Sequence, residues 1–429
     1  MDAWEFYAIA FIVIWVSAIL FKDKLKIDVN GPILMRRTTR LRDFIDSIAQ
    51  KSPRFWRGFM TVGIPVSIFF TVLLIYLIAI SLQTFLEAPA ASPILPGVDY
   101  PGNPLYIPLG YGLIALATVL IIHEFAHGIL ARAEGIKIKS IGLLLFAVLP
   151  GAFVEPDEEQ VAKANKLTKL RIYVAGSIAN LTLAGIAFAI VFLISSFFVP
   201  AAFHSDGMEI ASVIPNSPAN GILTQGMIIH DINGHKTNNL TEYSAAISNI
   251  KIGDTLTFTT DKGTFKIKTS VNPNNSTRAY IGIRTQEHLL VNQNIHDVYG
   301  DVIPWTLYSL KDLFFWIFLL NFAVGTFNLL PMKPLDGGLI FEELLSAKMS
   351  ENRISSITSN FKGFLRRKFK LSEEKAKGAA SSLRKILSFN VSEKNVNKIV
   401  YSLSLIGWTF LVINIIYVVG RGIWLSFLS

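Results

Sequence analysis

Two histidines four residues apart, with a glutamate directly after the first, are the side chains in this sequence best suited to chemistry: His123-Glu124-Phe125-Ala126-His127. On a helix, positions i and i+4 share one face. Both imidazoles can then grip a single divalent ion. Glu124 stands beside them, able to take a proton from a water activated there. That is the logic of metal-assisted hydrolysis. A catalytic zinc site needs three protein ligands and an open position. The chain has no cysteine, so the third ligand must be a histidine, a carboxylate or an amide. Asp336, within NLLPMKPLDGG at 328–338, meets the demand. Pro331 and Pro334 break the preceding helix, and Gly337-Gly338 allow a tight turn that points Asp336 back. The other histidines, His204, His230, His235, His288 and His296, fall in or beside a polar segment and are poorer candidates.

Two amides deserve the same scrutiny. Asn180 follows the small residues Ala175, Gly176, Ser177 and Ala179, which permit close helix approach. Asn328 opens the Asp336 motif. Either amide could hold substrate backbone or an oxyanion, or make an ordinary hydrogen bond between helices.

The elements that must position these residues are membrane helices. Of the 429 residues, 51% are hydrophobic and only 17% charged, with a mean hydropathy of +0.45. Soluble proteins carry about 25% charged residues. A water-soluble enzyme and a disordered chain are both excluded. Six stretches, about 3–21, 59–82, 109–131, 172–199, 313–330 and 400–427, are long and apolar enough to span a bilayer. The first has Asp2 and Glu5 where a signal peptide would be basic, so it is expected to be an anchor. Loop 22–58 holds ten Lys/Arg, loop 83–108 none, loop 132–171 seven, and 332–399 fourteen; 201–303 spreads seven over a long segment. The positive-inside rule then puts the basic loops in the cytoplasm. Both termini and the long polar segment are expected outside, with the histidine pair towards the cytoplasmic side. The net charge of +9 is thus mainly a topology signal. It implies a lipid bilayer as partner and no nucleic acid.

The expected fold is a polytopic α-helical membrane protein. It has about six transmembrane helices, a short membrane-associated β-hairpin and an inserted α+β domain. The hairpin is expected at 143–155 (LLLFAVLPGAFVE), which is too short to span, with Pro150-Gly151 as its turn. Its backbone must be sheltered or line a wet cavity. Residues 204–290 alternate in short polar runs. Asn233-Gly234 and Asp261-Lys262-Gly263 read as hairpin turns, and 244–250 as a short helix. The expected organisation is an anchor and basic loop (1–58), a first membrane core with the histidine motif, hairpin and Asn180 (59–203), and an outer domain (204–290). A second membrane core with Asp336 (303–346), a basic cytoplasmic segment (347–399) and a last span (400–429) follow.

His123-Glu124-Phe125-Ala126-His127, the Ala175-Gly176-Ser177…Asn180 stretch and the Asn328…Pro331…Pro334-Leu-Asp336-Gly337-Gly338 motif occur together in order. In this the chain resembles the site-2 protease family of intramembrane zinc metalloproteases over about 110–345. The basic 36–56 loop looks similar to that of prokaryotic, especially archaeal, members. Residues 211–217 (ASVIPNS), Pro218-Ala219, 226–232 and Asn233-Gly234 resemble the protease-associated PDZ pattern. The resemblance implies one zinc ion on His123, His127 and Asp336, with Glu124 as general base and Asn180 and Asn328 as substrate contacts. It implies cleavage of the transmembrane segments of single-span membrane proteins, as in regulated intramembrane proteolysis. The PDZ-like domain would act as a substrate gate. Two other classes fit the residues alone: a metal or ion transporter using the three ligands as a transit site, and a catalytically inactive membrane adaptor with a peptide-binding domain. Glu124→Gln separates the first, since transport survives the loss of a general base. Metal content separates the second.

Overall fold

The structure is a computed structural model describing residues 3–81, 95–98, 105–147, 149–273, 275–346, 351–369, 372–387 and 393–428. Its chain divides into two compact units, Met1–Phe188 with Phe315–Phe427, and Ala189–Phe314.

Among the described residues five helices are long and apolar enough to cross a membrane: Pro53–Ser81, Leu109–Ala133, Lys166–Ala202, Val302–Phe327 and Asn395–Tyr417. Most of their surface is left out of the core, as lipid-facing helices require. The first expected span is an apolar helix, Ala3–Leu20, of 18 residues. In the first unit the helices close on one another through small residues. Ala126, Ala131, Ala133, Ala175 and Gly63 are buried at the contacts. A Cβ on Gly63 would stand 2.8 Å from Ile178 Cγ1, so only glycine allows that approach.

The histidine-bearing helix Leu109–Ala133 stops for a local reason. Gly135 adopts a left-handed φ of +85°. Its N–H donates to the Arg132 carbonyl, and the Ile136 N–H reaches back to Ala131, a Schellman end. Glu134, at the same end, is buried and accepts from Arg171 Nη1 at 2.9 Å and Thr168 Oγ1 at 3.0 Å. Arg57 Nε donates to the Ala133 carbonyl at 2.9 Å and lies 3.7 Å from Glu134. One carboxylate thus ties the ends of three spanning helices together at one depth.

After that stop the chain enters β3 (Ile138–Phe146) and returns as β4 (Leu149–Pro156). The expected hairpin is present, with a corrected turn. Phe146 pairs with Leu149, so the chain reverses between them, and Ala147 has a φ of 53°. Pro150 and Gly151 lie inside β4. Proline is tolerated there because its missing N–H falls on the free side of an edge strand. Trp15 Nε1 donates to the Ala147 carbonyl at 2.9 Å, pinning the turn to the first helix. The basic loop 22–58 also holds structure beyond the expected loop. β1 (Ile27–Asn30) and β2 (Ile33–Thr38) extend the hairpin into a four-stranded antiparallel sheet in the order β1-β2-β3-β4. An amphipathic helix, Arg42–Lys51, then buries Ile45 and Ala49 against the histidine helix.

The Asp336 segment departs from expectation in its glycines. The long helix Val302–Phe327 ends, residues 328–335 form a compact loop, and a new helix runs Asp336–Leu345. Gly337 and Gly338 lie in its first turn, not in a tight turn. A Cβ on Gly338 would fall 2.6 Å from the Lys333 nitrogen, and one on Gly337 would strike the Leu329–Leu330 backbone. The glycines let helix and loop pack backbone against backbone. The Gly337 N–H closes the loop on the Asn328 carbonyl at 2.7 Å. Lys169 with Glu343, 3.6 Å apart, and Lys166 with the Ser346 carbonyl hold this helix to Lys166–Leu193.

The second unit contains an antiparallel sheet of β5 (Phe203–Val213), β6 (Ile228–Ile232), β7 (His235–Lys236), β8 (Thr255–Thr260), β9 (Gly263–Lys268) and β12 (Ile283–Val291). A separate pair, β10 (Ser270–Asn272) and β11 (Asn275–Tyr280), lies beside it in the chain. The order of the larger sheet is β12-β5-β6-β8-β9, with β7 on β6. Met208, Ile210, Ile229, Leu256, Phe258 and Ile267 form its core. Asn233 and Gly234 take φ of 53° and 84°, the signature of a tight β6–β7 turn. Thr260 pairs with Gly263 across the next hairpin. The helix begins earlier than expected, at Leu240–Ile247, because the Asn239 side chain caps the Glu242 N–H at 2.9 Å. The segment after Asp336 contains two further helices, Glu351–Phe369 and Glu373–Leu387.

Candidate metal centre

His123 and His127 stand one above the other on their helix, with ring centroids 4.9 Å apart. Their Nε2 atoms are 3.3 Å apart. Asp336 Oδ2 lies 3.3 Å from the first and 3.4 Å from the second. Among the described residues this is the one group of three such side chains close enough to share an ion. The triangle fits zinc. Tetrahedral bonds of about 2.0–2.1 Å hold neighbouring donors about 3.3 Å apart. Two imidazole nitrogens and one carboxylate oxygen are a zinc donor set, whereas calcium takes oxygen ligands at longer range.

A neighbouring helix that supplies no ligand orients all three. On Lys166–Leu193, the Ile172 carbonyl accepts from His127 Nδ1 at 2.8 Å. That hydrogen bond fixes the tautomer that leaves the Nε2 lone pair free. Ser177 Oγ donates to Asp336 Oδ2 at 3.4 Å. The Asn180 amide faces His123 Nδ1 at 3.3 Å, and its Oδ1 is buried without a partner. A half-turn of this amide brings Oδ1 to His123 Nδ1, where it accepts the ring N–H. Both rings then present Nε2 to an ion, and the orphaned oxygen is satisfied. Gly176 makes the approach possible: a Cβ there would fall 2.6 Å from His123 Nε2 and collide with His127.

Glu124 points to the same space from the next helical position. Its Oε2 accepts the Val154 N–H of β4 at 2.9 Å. His123, His127, Asp336, Glu124, Val154 and Asn328 line one cavity of about 640 Å³.

A family model, that of peptidase family M50, matches residues 111–366, more than half of the chain and a range that includes His123, His127 and Asp336. The chain belongs to peptidase family M50, the site-2 protease family. This M50 chain is 31% identical to an uncharacterized protein of Methanocaldococcus jannaschii over 83% of its own length and 90% of that protein's. It is 27% identical to a membrane-bound transcription factor site-2 protease homolog of Arabidopsis thaliana, over 32% of this chain and 28% of the other. A PDZ domain of an SdrC-like protein from Listeria innocua is 28% identical over 19% of this chain and 97% of that one, with a TM-score of 0.18. As an M50 member with five spanning-length apolar helices, it is a multi-pass membrane metallopeptidase.

Of the residues expected at an M50 site, His123, His127, Asp336 and Glu124 come together, and Asn328 lines the cavity. Asn180 does not line it. It is fully buried beside His123, and its amide faces that ring. The roles of the Ile172 carbonyl, Ser177 and the Val154 N–H are not legible in the sequence. Backbone groups leave no mark in residue types. The spacing 172, 176, 177, 180 does trace one face of a helix and was the available signal.

Proposed function

We propose that this M50 member is an intramembrane zinc endopeptidase that cuts transmembrane segments of single-span membrane proteins. The observation that carries the reading is the donor triangle of His123, His127 and Asp336 with Glu124 beside it, the two histidines and Glu124 on an apolar helix of spanning length. An ionisable cluster placed in lipid is costly and functional by default. His123, His127 and Asp336 hold the zinc, and Ile172, Ser177 and Asn180 keep them aimed. Zinc, when bound, supplies Lewis-acid chemistry that acidifies water and polarises a carbonyl.

Glu124 takes the proton from the attacking water and hands it to the departing amine. Its position one residue after His123 supports this role. A helical segment cannot be cut while its carbonyls are tied to i+4 amides, so the substrate unwinds locally. The free edge of β4 borders the cavity and is suited to receive the unwound strand by β-addition. Asn328, in the cavity wall, holds freed substrate backbone through its amide. The sparse charge of 201–303 against the basic loops supports an orientation with both termini and 204–290 outside and the zinc site towards the cytoplasm. We read 204–290 as a PDZ-like domain that excludes bulky outer portions of substrates. The antiparallel sheet with one capped helix is the support for that reading.

The decisive experiment pairs zinc quantification on the purified chain with cleavage of a candidate single-span substrate by wild type and Glu124→Gln. One zinc per chain in both, with cleavage by wild type alone, is the expected result. A metal-free wild type, or cleavage that survives Glu124→Gln, would overturn the reading.

A further inference from the structure

β4 is a free edge of its sheet among the described residues. In an antiparallel ladder every second residue turns its N–H and C=O away from the partner strand. Val154 belongs to the outward set, because its N–H leaves the sheet for Glu124 Oε2. Counting by twos along the register with β3, the outward residues are Pro150, Ala152, Val154 and Pro156. Both prolines lack an N–H. The edge therefore offers an incoming strand just two donors, about 7 Å apart. One of them, Val154, is already held by the carboxylate read as the general base.

We propose that a substrate strand pairs with β4 through the Ala152–Val154 window and displaces Glu124 from the Val154 N–H, so that capture of the strand frees the base. The inference rests on the reading of Glu124 given above and adds the step that sets it to work. Without a strand, Glu124 stays tethered 2.9 Å from a backbone donor. A segment that remains helical has its own carbonyls committed and cannot compete for that donor. The flanking prolines confine pairing to one register, which sets which substrate bond lies beside the ligands. Val154 acts here as a positioning residue through its main chain. The energetic cost is that of giving up a hydrogen bond to a charged acceptor, which weakens strand binding roughly tenfold.

The test measures fluorescence anisotropy of a labelled, alternating valine–threonine hexapeptide bound to the full-length purified protein in detergent. Glu124→Ala is expected to bind the peptide about tenfold more tightly than wild type, because no tether has to be displaced. Glu124→Gln, which keeps a neutral acceptor, should fall between them. Val154→Pro removes the N–H from the outward side of the ladder and should abolish the gain from Glu124→Ala. Equal affinities for wild type and Glu124→Ala, or a gain that persists beside Val154→Pro, would overturn the proposal. Should Val154→Pro not fold, amide hydrogen exchange replaces it. The Val154 N–H should be protected in the peptide-free wild type and exchange faster in Glu124→Ala; fast exchange in wild type is the opposing result. Cleavage is scored separately. An intact affinity order without cleavage counts against the hydrolase and not the coupling. Cleavage with equal affinities sinks the coupling alone.

Discussion

A donor triangle with edges of 3.3–3.4 Å leaves little freedom in what an ion there must be, and little in what may surround it. Glu124 is not part of the triangle, so its loss should separate binding from chemistry. Glu124→Gln is expected to keep one zinc per chain by atomic absorption and lower the cleavage rate at least 10²-fold. Asn180 faces His123 and does not line the cavity at the donor triangle, so its signature is metal affinity. Asn180→Ala should weaken zinc binding about 10- to 100-fold in a chelator competition, while Asn180→Asp, which keeps an acceptor, should largely restore it. Gly176→Ala is the steric counterpart. Its methyl would occupy the space of both imidazoles. The variant should fold, judged by far-UV dichroism, and fail to take up zinc.

At the scale of elements, two helices with no ligand matter as much as the two that have them. Lys166–Leu193 orients the three donors, and Arg42–Lys51 packs on the histidine helix. The Glu134–Arg171–Thr168 cluster joins helix ends, and Glu134 is buried. Glu134→Ala strands Arg171 without its partner and should destabilise the first unit by about 3 kcal/mol. Thermal unfolding in detergent would measure it. Arg42–Lys51 is tethered more lightly. The hydrogen bond from Arg132 to Asp46, with the guanidinium charge behind it, holds the Asp46 carboxyl below its ordinary range. Its folded pKa lies under its unfolded one. The tether therefore contributes above about pH 4 and fades as pH falls through the folded value. Asp46→Asn should flatten the acid limb of the unfolding profile in that window and leave neutral stability nearly unchanged.

For the whole molecule, stability is expected not to hang on the ion. The first unit has a continuous core from Ile45 and Met60 through Leu130, Val174 and Leu329. Zinc removal by a chelator should abolish cleavage, leave helical dichroism intact and be reversed by added zinc. A structural zinc site would instead unfold. The second unit has its own core around Met208 and Phe258. Deleting 204–290 should leave zinc content unchanged and allow cleavage of a substrate that keeps a bulky outer domain, read on a gel. Unchanged rejection of that substrate would remove the gating role.

The sequence by itself pointed to the long apolar helices, the histidine motif and Asp336 as the third candidate donor. Each rests on a local rule: about 20 apolar residues cross a bilayer, and i and i+4 share a helix face. The turns Asn233-Gly234 and 261–263 were legible for the same reason, since a positive φ selects its residues locally. The tertiary structure alone decided the rest. β1 and β2 are a marginal two-stranded piece until β3, a hundred residues away, gives them a partner, so nothing in 22–58 announced a sheet. Pro150-Gly151 reads as a turn wherever the strand edge is unknown. Asn180 carries the same amide whether it meets a substrate or a histidine ring. The bond from Val154 to Glu124 joins a backbone group to a side chain thirty residues away. Such contacts are set by how helices and strands pack in three dimensions, and packing joins residues whose types, read singly, do not name each other.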